Sequence, residues 1–191
     1  ADQWQVVSAD ITDKRLYARF KSLAITGEGG AVGDLMAQGV SISNSETGHG
    51  SVSIAQLVWT LICLNGMQTN NRNVTSAYAS REMFEAVLEQ FRSARGDLVT
   101  NGMAAAQPAV EALGGVLKLS KAETASVLDG LMQTIQQDGY RGEPLSRATL
   151  VNAVTAAAHT ADADAVTDWH VLGGRVLDLP ANQWQSVAMA A

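Results

Sequence analysis

The chain has 191 residues, of which 47% are hydrophobic and 17% charged, and its net charge is −6. This composition predicts a folded globular chain, because disordered segments are poor in apolar residues and rich in charge. No apolar run reaches the length of about 18 residues that a membrane-spanning helix needs. Residues 1–81 hold six acidic and six basic residues, whereas residues 82–191 hold thirteen and seven. A polyanion-binding surface is therefore expected in the first half of the chain.

Two strands are predicted at the start of the chain, over residues 3–9 and 15–25. In the second strand apolar and polar side chains alternate, so Leu16, Ala18 and Phe20 are expected on one face. The opposite face carries Arg15, Tyr17, Arg19 and Lys21. Because the sequence begins on strand-like residues without a Met, we expect a trimmed chain or one that lacks an N-terminal part.

A Gly-rich loop is predicted over residues 26–34, and a β-hairpin over residues 39–54. The hairpin is indicated by period-two alternation on both sides of a polar turn. The turn contains Asn44, Ser45, Glu46 and Gly48. Residues 55–64 fit either a continuation of the second hairpin strand or a helix, and Cys63 within them is predicted to be a buried apolar side chain.

Helical spacing begins near residue 80. Helices are predicted over residues 80–95, 109–113, 120–136, 146–158 and 162–177, with a short last helix in the tail. Gly114-Gly115 is expected to end the second helix and Gly173-Gly174 to interrupt the fifth. Strands that precede helices predict an α+β fold, with an antiparallel sheet from the N-terminal half covered by C-terminal helices. Residues 1–80 form the β-rich region and residues 81–191 the helical region of one continuous domain.

The polar face of the second strand is the first candidate binding surface. Cations at Arg15, Arg19 and Lys21, with Lys14 next to them, could contact phosphates, and the Tyr17 ring could stack on an unpaired base. The alternative is a solvated sheet face, on which the same residue types are common. The balanced, not basic, charge of residues 1–81 does not strengthen the case for nucleic-acid binding.

Other polar groups predict no catalytic, metal or cofactor site. Glu46 and His49 could serve as an acid and a base only within a pocket, and a hairpin turn is usually exposed. His159 and His170, with three aspartates between them, form the one conceivable metal cluster, but their spacing spreads them around a helix. The segment GEGGAVG lacks the Lys and the spacing of a phosphate-binding loop.

Four motifs in order resemble the phage/plasmid-like proteins grouped as domain of unknown function 932. The motif residues are Thr12, Asp13, Arg15 and Tyr17; Asn44, Ser45, Glu46 and Gly48; Cys63, Asn65 and Gly66; and the segment Asn152 to His159. The chain departs from the family at residues 59–62, WTLI, where members usually carry an Arg. The resemblance implies a mobile-element protein in the bacterial host cytoplasm, without an established activity, and it favours nucleic-acid handling.

The sequence thus predicts a noncatalytic phage- or plasmid-encoded protein that binds single-stranded nucleic acid in replication, recombination or counter-defence. It is expected to form a homo-oligomer and to have no membrane partner. The alternative is an oligomeric protein-interaction module that binds a host or phage protein through its acidic helical half.

Overall fold

The computed structural model describes residues 3–30, 35–45, 52–61, 65–68, 81–137 and 144–190. Five strands form one antiparallel sheet in which each strand pairs with its neighbours in chain order. The strands are β1 (Trp4–Ile11), β2 (Leu16–Glu28), β3 (Leu35–Asn44), β4 (Ser53–Thr60) and β5 (Asn65–Gln68). The predicted α+β fold, with a sheet from the N-terminal half and helices from the C-terminal half, is confirmed.

The strands extend further than the sequence patterns indicate. β2 continues through Glu28, so the predicted loop over residues 26–34 is wrong at its beginning. Gly27 lies within β2 at a point of close packing, since a Cβ there would collide with the Leu88 side chain of the first helix. Residues 55–60 are strand, which resolves the alternative between strand and helix for that part of residues 55–64. Cys63 lies outside the described residues.

Six α-helices follow the sheet. They are α1 (Arg81–Gly96), α2 (Ala106–Leu117), α3 (Lys121–Gln137), α4 (Arg147–Ala156), α5 (Ala163–Leu177) and α6 (Ala181–Ala188), with 3₁₀ turns at Gly102–Ala105 and Ala157–Thr160. The helix over residues 120–136 begins as its sequence predicts, because Ser120 and Glu123 each accept the other's backbone N–H. α4 begins with a similar reciprocal pair, Ser146 and Thr149. Within the described residues, no helix is long and apolar enough to cross a bilayer.

The expected glycine interruptions of two helices are wrong. α2 runs through Gly114 and Gly115 to Leu117, and the capping residue Lys118 has a φ of 61°, in the left-handed region. α5 runs through Gly173 and Gly174 without a break. Gly114 and Gly173 allow neighbouring elements to approach closely, since a Cβ on either would collide with a Thr side chain of the adjoining helix. Packing therefore outweighs the low helix propensity of glycine here.

Helices cover the two faces of the sheet at different places. Met36, Val58 and Met67 share one face and join the main core with Phe84 and Leu88 of α1. Further along the same face, no helix among the described residues covers β1, where Val6 and Ile11 are exposed. The opposite face packs against α5, where the Trp59 and His170 rings meet edge to face at 5.8 Å.

Candidate functional site

The predicted cationic strand face is turned inward, against α5. Tyr17 and Arg19 are only 3% and 2% exposed. Helix α5 covers them: Tyr17 Oη donates to Asp164 Oδ1 at 2.8 Å, and Arg19 Nη2 donates to Thr167 Oγ1 at 3.3 Å. The expected roles of Tyr17 as a platform for a base and of Arg19 as a phosphate ligand therefore do not fit their burial.

The other three predicted cations lie nearer to solvent. Lys14 is exposed in the turn between β1 and β2, whereas Arg15 and Lys21 are half-buried. Thr12 fixes that turn, since its Oγ1 accepts the backbone N–H groups of Lys14 at 3.2 Å and of Arg15 at 3.1 Å. These three cations lie on either side of the buried pair Tyr17 and Arg19. They do not form a continuous exposed surface with it.

The second predicted motif meets the first at this turn. Ser45 Oγ donates to the Lys14 carbonyl oxygen at 2.8 Å, and Asn44 pairs with Leu16 in the β2–β3 ladder. Glu46 and Gly48 lie outside the described residues. The structure therefore brings the beginning of the polar turn beside the start of β2 and gives Ser45 a bracing role.

The Arg19 guanidinium is held by groups from three elements. Nη1 donates to Ser8 Oγ at 3.1 Å and to Asp10 Oδ2 at 2.9 Å, both on β1. The Tyr17 ring lies 5.4 Å from the guanidinium carbon, a favourable cation–π distance. Because the charge is removed from water, these partners compensate part of its desolvation, while the buried Nε has no hydrogen-bond partner. The arrangement fastens α5 to β1 and β2.

Asp164 at the start of α5 accepts two hydroxyl donors from the sheet. Tyr17 donates to its Oδ1, and Thr12 Oγ1 donates to the same oxygen at 3.1 Å. The hydrogen bond from Tyr17 lowers the pKa of the Asp164 carboxyl below its ordinary value. Burial, together with donation to Asp164, raises the pKa of the Tyr17 phenol. Both shifts favour an ionised carboxylate beside a neutral phenol, which is a structural pair and not a proton-transfer pair.

His170 is buried two turns further along α5. Burial lowers its pKa to about 3, with smaller contributions from the charges of Arg19 and His159. The imidazole is therefore neutral near neutral pH and packs as an aromatic ring against Trp59. Across the described part of the chain, no three His, Cys, Asp or Glu side chains converge on a possible metal position.

A cleft of about 520 Å³ lies between α2 and α3. Val110, Leu128 and Gly114 are among its lining residues, and Glu111 and Lys121 are its charged members. The lining contains neither a His nor a Cys. It offers no nucleophile paired with a base, so its chemistry favours no reaction.

The largest unexplained feature is the open apolar face of the sheet. Cross-strand pairs and period-two alternation place one set of apolar side chains on the side opposite Arg19. The open apolar face consists of Trp4, Val6, Ala9, Ile11, Leu16, Ala18, Phe20, Val40, Ile42 and Ile54. Ile11 is 81% exposed, Val6 57% and Ile54 51%. The face of β2 that carries Leu16, Ala18 and Phe20 is therefore the more exposed one, and the face with Tyr17 and Arg19 is buried.

The open apolar face carries no charge on any strand residue that the structure describes. Its polar strand members are all neutral: Asn44 is half-buried, and Ser22 and Gln56 are buried. The exposed apolar area is on the order of 600 Å², the upper end of what monomeric proteins leave open in one patch. A patch of this size and composition is typical of a protein interaction surface.

The sequence of α5 contains a signal that the polar face of β2 is the buried one. Asp164, Thr167 and His170 recur at a spacing of three along α5, so they form a polar strip between apolar residues. Such a strip has to meet either solvent or polar partners. Two of its members bond to Tyr17 and Arg19, which identifies the polar face of β2 as its partner.

Comparisons of this chain with protein-family models, curated proteins and solved structures found no match. The resemblance to the phage/plasmid-like family accordingly stays a prediction.

Proposed function

We propose that this protein is a noncatalytic protein-interaction module whose open apolar face binds an apolar surface of a protein partner. One observation carries the proposal: away from α1, the sheet buries Tyr17 and Arg19 on one face and exposes apolar side chains of β1, β2 and β4 on the other. Burial of apolar surface is the main favourable term in protein association. An uncharged, apolar sheet face suits a protein surface of the same character.

The proposed surface differs from both predicted ones. Nucleic-acid binding through Lys14, Arg15 and Lys21 stays a prediction, but the burial of Tyr17 and Arg19 removes its stacking platform and one of its phosphate contacts. An uncharged face offers no attraction to phosphates. The acidic helical half, the other predicted surface, exposes apolar side chains at Leu98, Met103, Met132 and Met189, and binding through it stays a prediction.

A capture experiment with matched variants tests the proposal. The chain is immobilised as wild type, as Ile54→Asp and as Met132→Asp, and each is exposed to host lysate and to the soluble chain itself. Ile54 and Met132 are similarly exposed, at 51% and 46%, but Met132 lies on α3 away from the sheet. We expect a protein retained by the wild type and by Met132→Asp to be lost from Ile54→Asp. Equal capture by all three forms would contradict the proposal.

Salt dependence separates apolar docking from nucleic-acid binding. Apolar association is unchanged or strengthened between about 50 and 500 mM NaCl, because salt does not weaken the burial of uncharged surface. Binding of a labelled single-stranded oligonucleotide would instead fall steeply over the same range through counterion release. A bound partner whose affinity follows the second pattern would favour the nucleic-acid prediction.

A further inference from the structure

We propose that the partner seated on the open apolar face is a second copy of this chain, packed face to face as a two-fold dimer. This inference rests on the proposed function, because it names the occupant of the same surface. Two properties of the face favour a second copy, its lack of charge and its area. The distribution of charge over the rest of the chain also favours it.

The lack of charge makes the face self-complementary. In a two-fold dimer each patch meets its own copy, so any charged residue near the axis would approach a like charge. The strand residues described on the open apolar face include none. Apolar pairs such as Ile42 and Ile54, which lie opposite each other in neighbouring strands, can interdigitate with the same pairs of a second sheet.

The area reaches the range of a specific interface. Two faces that each lose on the order of 600 Å² would bury about 1,200 Å² in total, the lower bound for stable protein–protein interfaces. An interface of this size with an apolar centre typically supports association at micromolar concentration. The dimer should therefore dissociate on dilution.

The charge distribution selects this face over the helical surface. Residues 82–191 hold thirteen acidic and seven basic residues, so the helical halves of two copies repel each other. The sheet is made by the neutral part of the chain. Approach through the open apolar face keeps the acidic surfaces apart.

The edge of the sheet is a poorer site for a second copy. β1 is an edge strand, and its register shifts between Val6 and Ser8. An irregularity in an edge strand interrupts the ladder that an added strand would continue. Val7 at the irregularity packs instead against the buried cluster of Ala37, Leu57 and Trp59. The open apolar face is thus a better site for a second copy than the β1 edge.

The test measures mass in solution by light scattering and sedimentation of the full chain between about 1 and 100 µM, a range that brackets micromolar affinity. We expect the wild-type mass to rise from the 20.1 kDa of one chain toward twice that value. Ile54→Asp and Ile11→Asp should each raise the dissociation constant at least about tenfold, since each introduces a charge that would be buried. Met132→Asp on α3 should dimerise as the wild type does.

Far-UV circular dichroism of every variant verifies the fold. Ile11 is 81% exposed, so Ile11→Asp decides the outcome if Ile54→Asp does not fold. A wild-type mass of one chain across the whole range would overturn the dimer. So would a folded Ile11→Asp that dimerises with unchanged affinity.

The two proposals fail separately. A monomeric wild type that captures another protein through Ile54 would overturn the second copy as partner and leave the interaction module standing. A monomeric wild type whose capture does not depend on Ile54 would overturn both.

Discussion

Arg19 heads the fully buried large side chains in the described residues, and its charge makes it a sensitive test of how α5 is held. The informative perturbation is Asp10→Asn, which leaves the side chain nearly the same shape but removes the charge that faces the guanidinium at 2.9 Å. The remaining partners, Ser8 and Thr167, are neutral hydroxyls. The guanidinium would then stay buried without a counter-charge.

The expected loss in the free energy of unfolding depends on how deeply Arg19 and Asp10 are each buried. Breaking a fully buried ion pair by removing one partner costs about 3–5 kcal/mol. Asp10 is 38% exposed, so water screens part of the attraction and we expect about 2 kcal/mol for Asp10→Asn. Arg19→Met should cost less, about 1 kcal/mol, because the carboxylate left behind can be rehydrated.

The double variant separates ion pairing from packing. Once Arg19 is Met, replacing Asp10 removes no further attraction, so the double variant should be as stable as Arg19→Met alone. The two single costs then exceed the double cost by about 2 kcal/mol, which is the coupling between the side chains. Asp13→Asn is the matched control: Asp13 is exposed in the neighbouring turn, and its replacement should change stability by less than about 0.5 kcal/mol.

The assay is urea unfolding followed by circular dichroism and tryptophan fluorescence, at a protein concentration low enough to keep one oligomeric state. The slope of free energy against urea should be the same for all variants, which indicates that the exposed surface on unfolding is unchanged. A cost below about 0.5 kcal/mol for Asp10→Asn would refute the reasoning, since that is the value of an exposed surface pair. It would mean that Arg19 reaches solvent and is available for ligands after all.

Three further predictions concern single buried positions. Because burial lowers the pKa of His170 to about 3, the unfolded chain binds a proton below about pH 6.5 that the folded chain does not. The free energy of unfolding should therefore fall by about 2 kcal/mol between about pH 7 and about pH 5. In urea titrations His170→Phe should remove this contribution to the pH dependence of stability. Gly130→Ala should destabilise the fold by at least about 2 kcal/mol, because its Cβ would collide with the Ala153 carbonyl oxygen. Gly115→Ala has open space around its Cβ and should stabilise the fold by about 0.5–1 kcal/mol. Thermal unfolding of the two variants measures both effects. Gln56→Met should stabilise by about 1 kcal/mol, since both amide atoms of Gln56 are buried without a hydrogen-bond partner, and a loss of stability in urea would show that the amide has one.

The sequence predicts the elements of this fold well where a local pattern is sufficient. The alternation around residues 39–54 gives two paired strands, and the Ser120–Glu123 box gives the start of α3. The glycines at 27, 114 and 173 mislead because each lies where another element approaches too closely for a Cβ. That information lies in tertiary packing, which a single segment does not contain.

The site shows a different limit of sequence interpretation. Alternation along β2 assigns Leu16 and Arg19 to opposite faces correctly, but it does not say which face becomes buried. The decision depends on α5, whose Thr167 is 148 residues away from Arg19 along the chain. Matching the polar strip of a distant helix to the polar face of a strand requires the assembled structure.

The choice of face is also the strongest argument that the sheet has a partner. Covering the open apolar face would gain roughly 15 kcal/mol at the usual coefficient for apolar burial, as an upper estimate. α5 does not cover this face. It packs on the opposite face, where Asp164 accepts a hydrogen bond from Tyr17 and Thr167 accepts one from Arg19. These bonds hold α5 to a polar face, where each buried polar group needs a specific partner and a shifted helix would leave several unpaired. A helix fixed in this way does not cover Ile54 or Val6, which leaves the apolar surface open to the proposed partner.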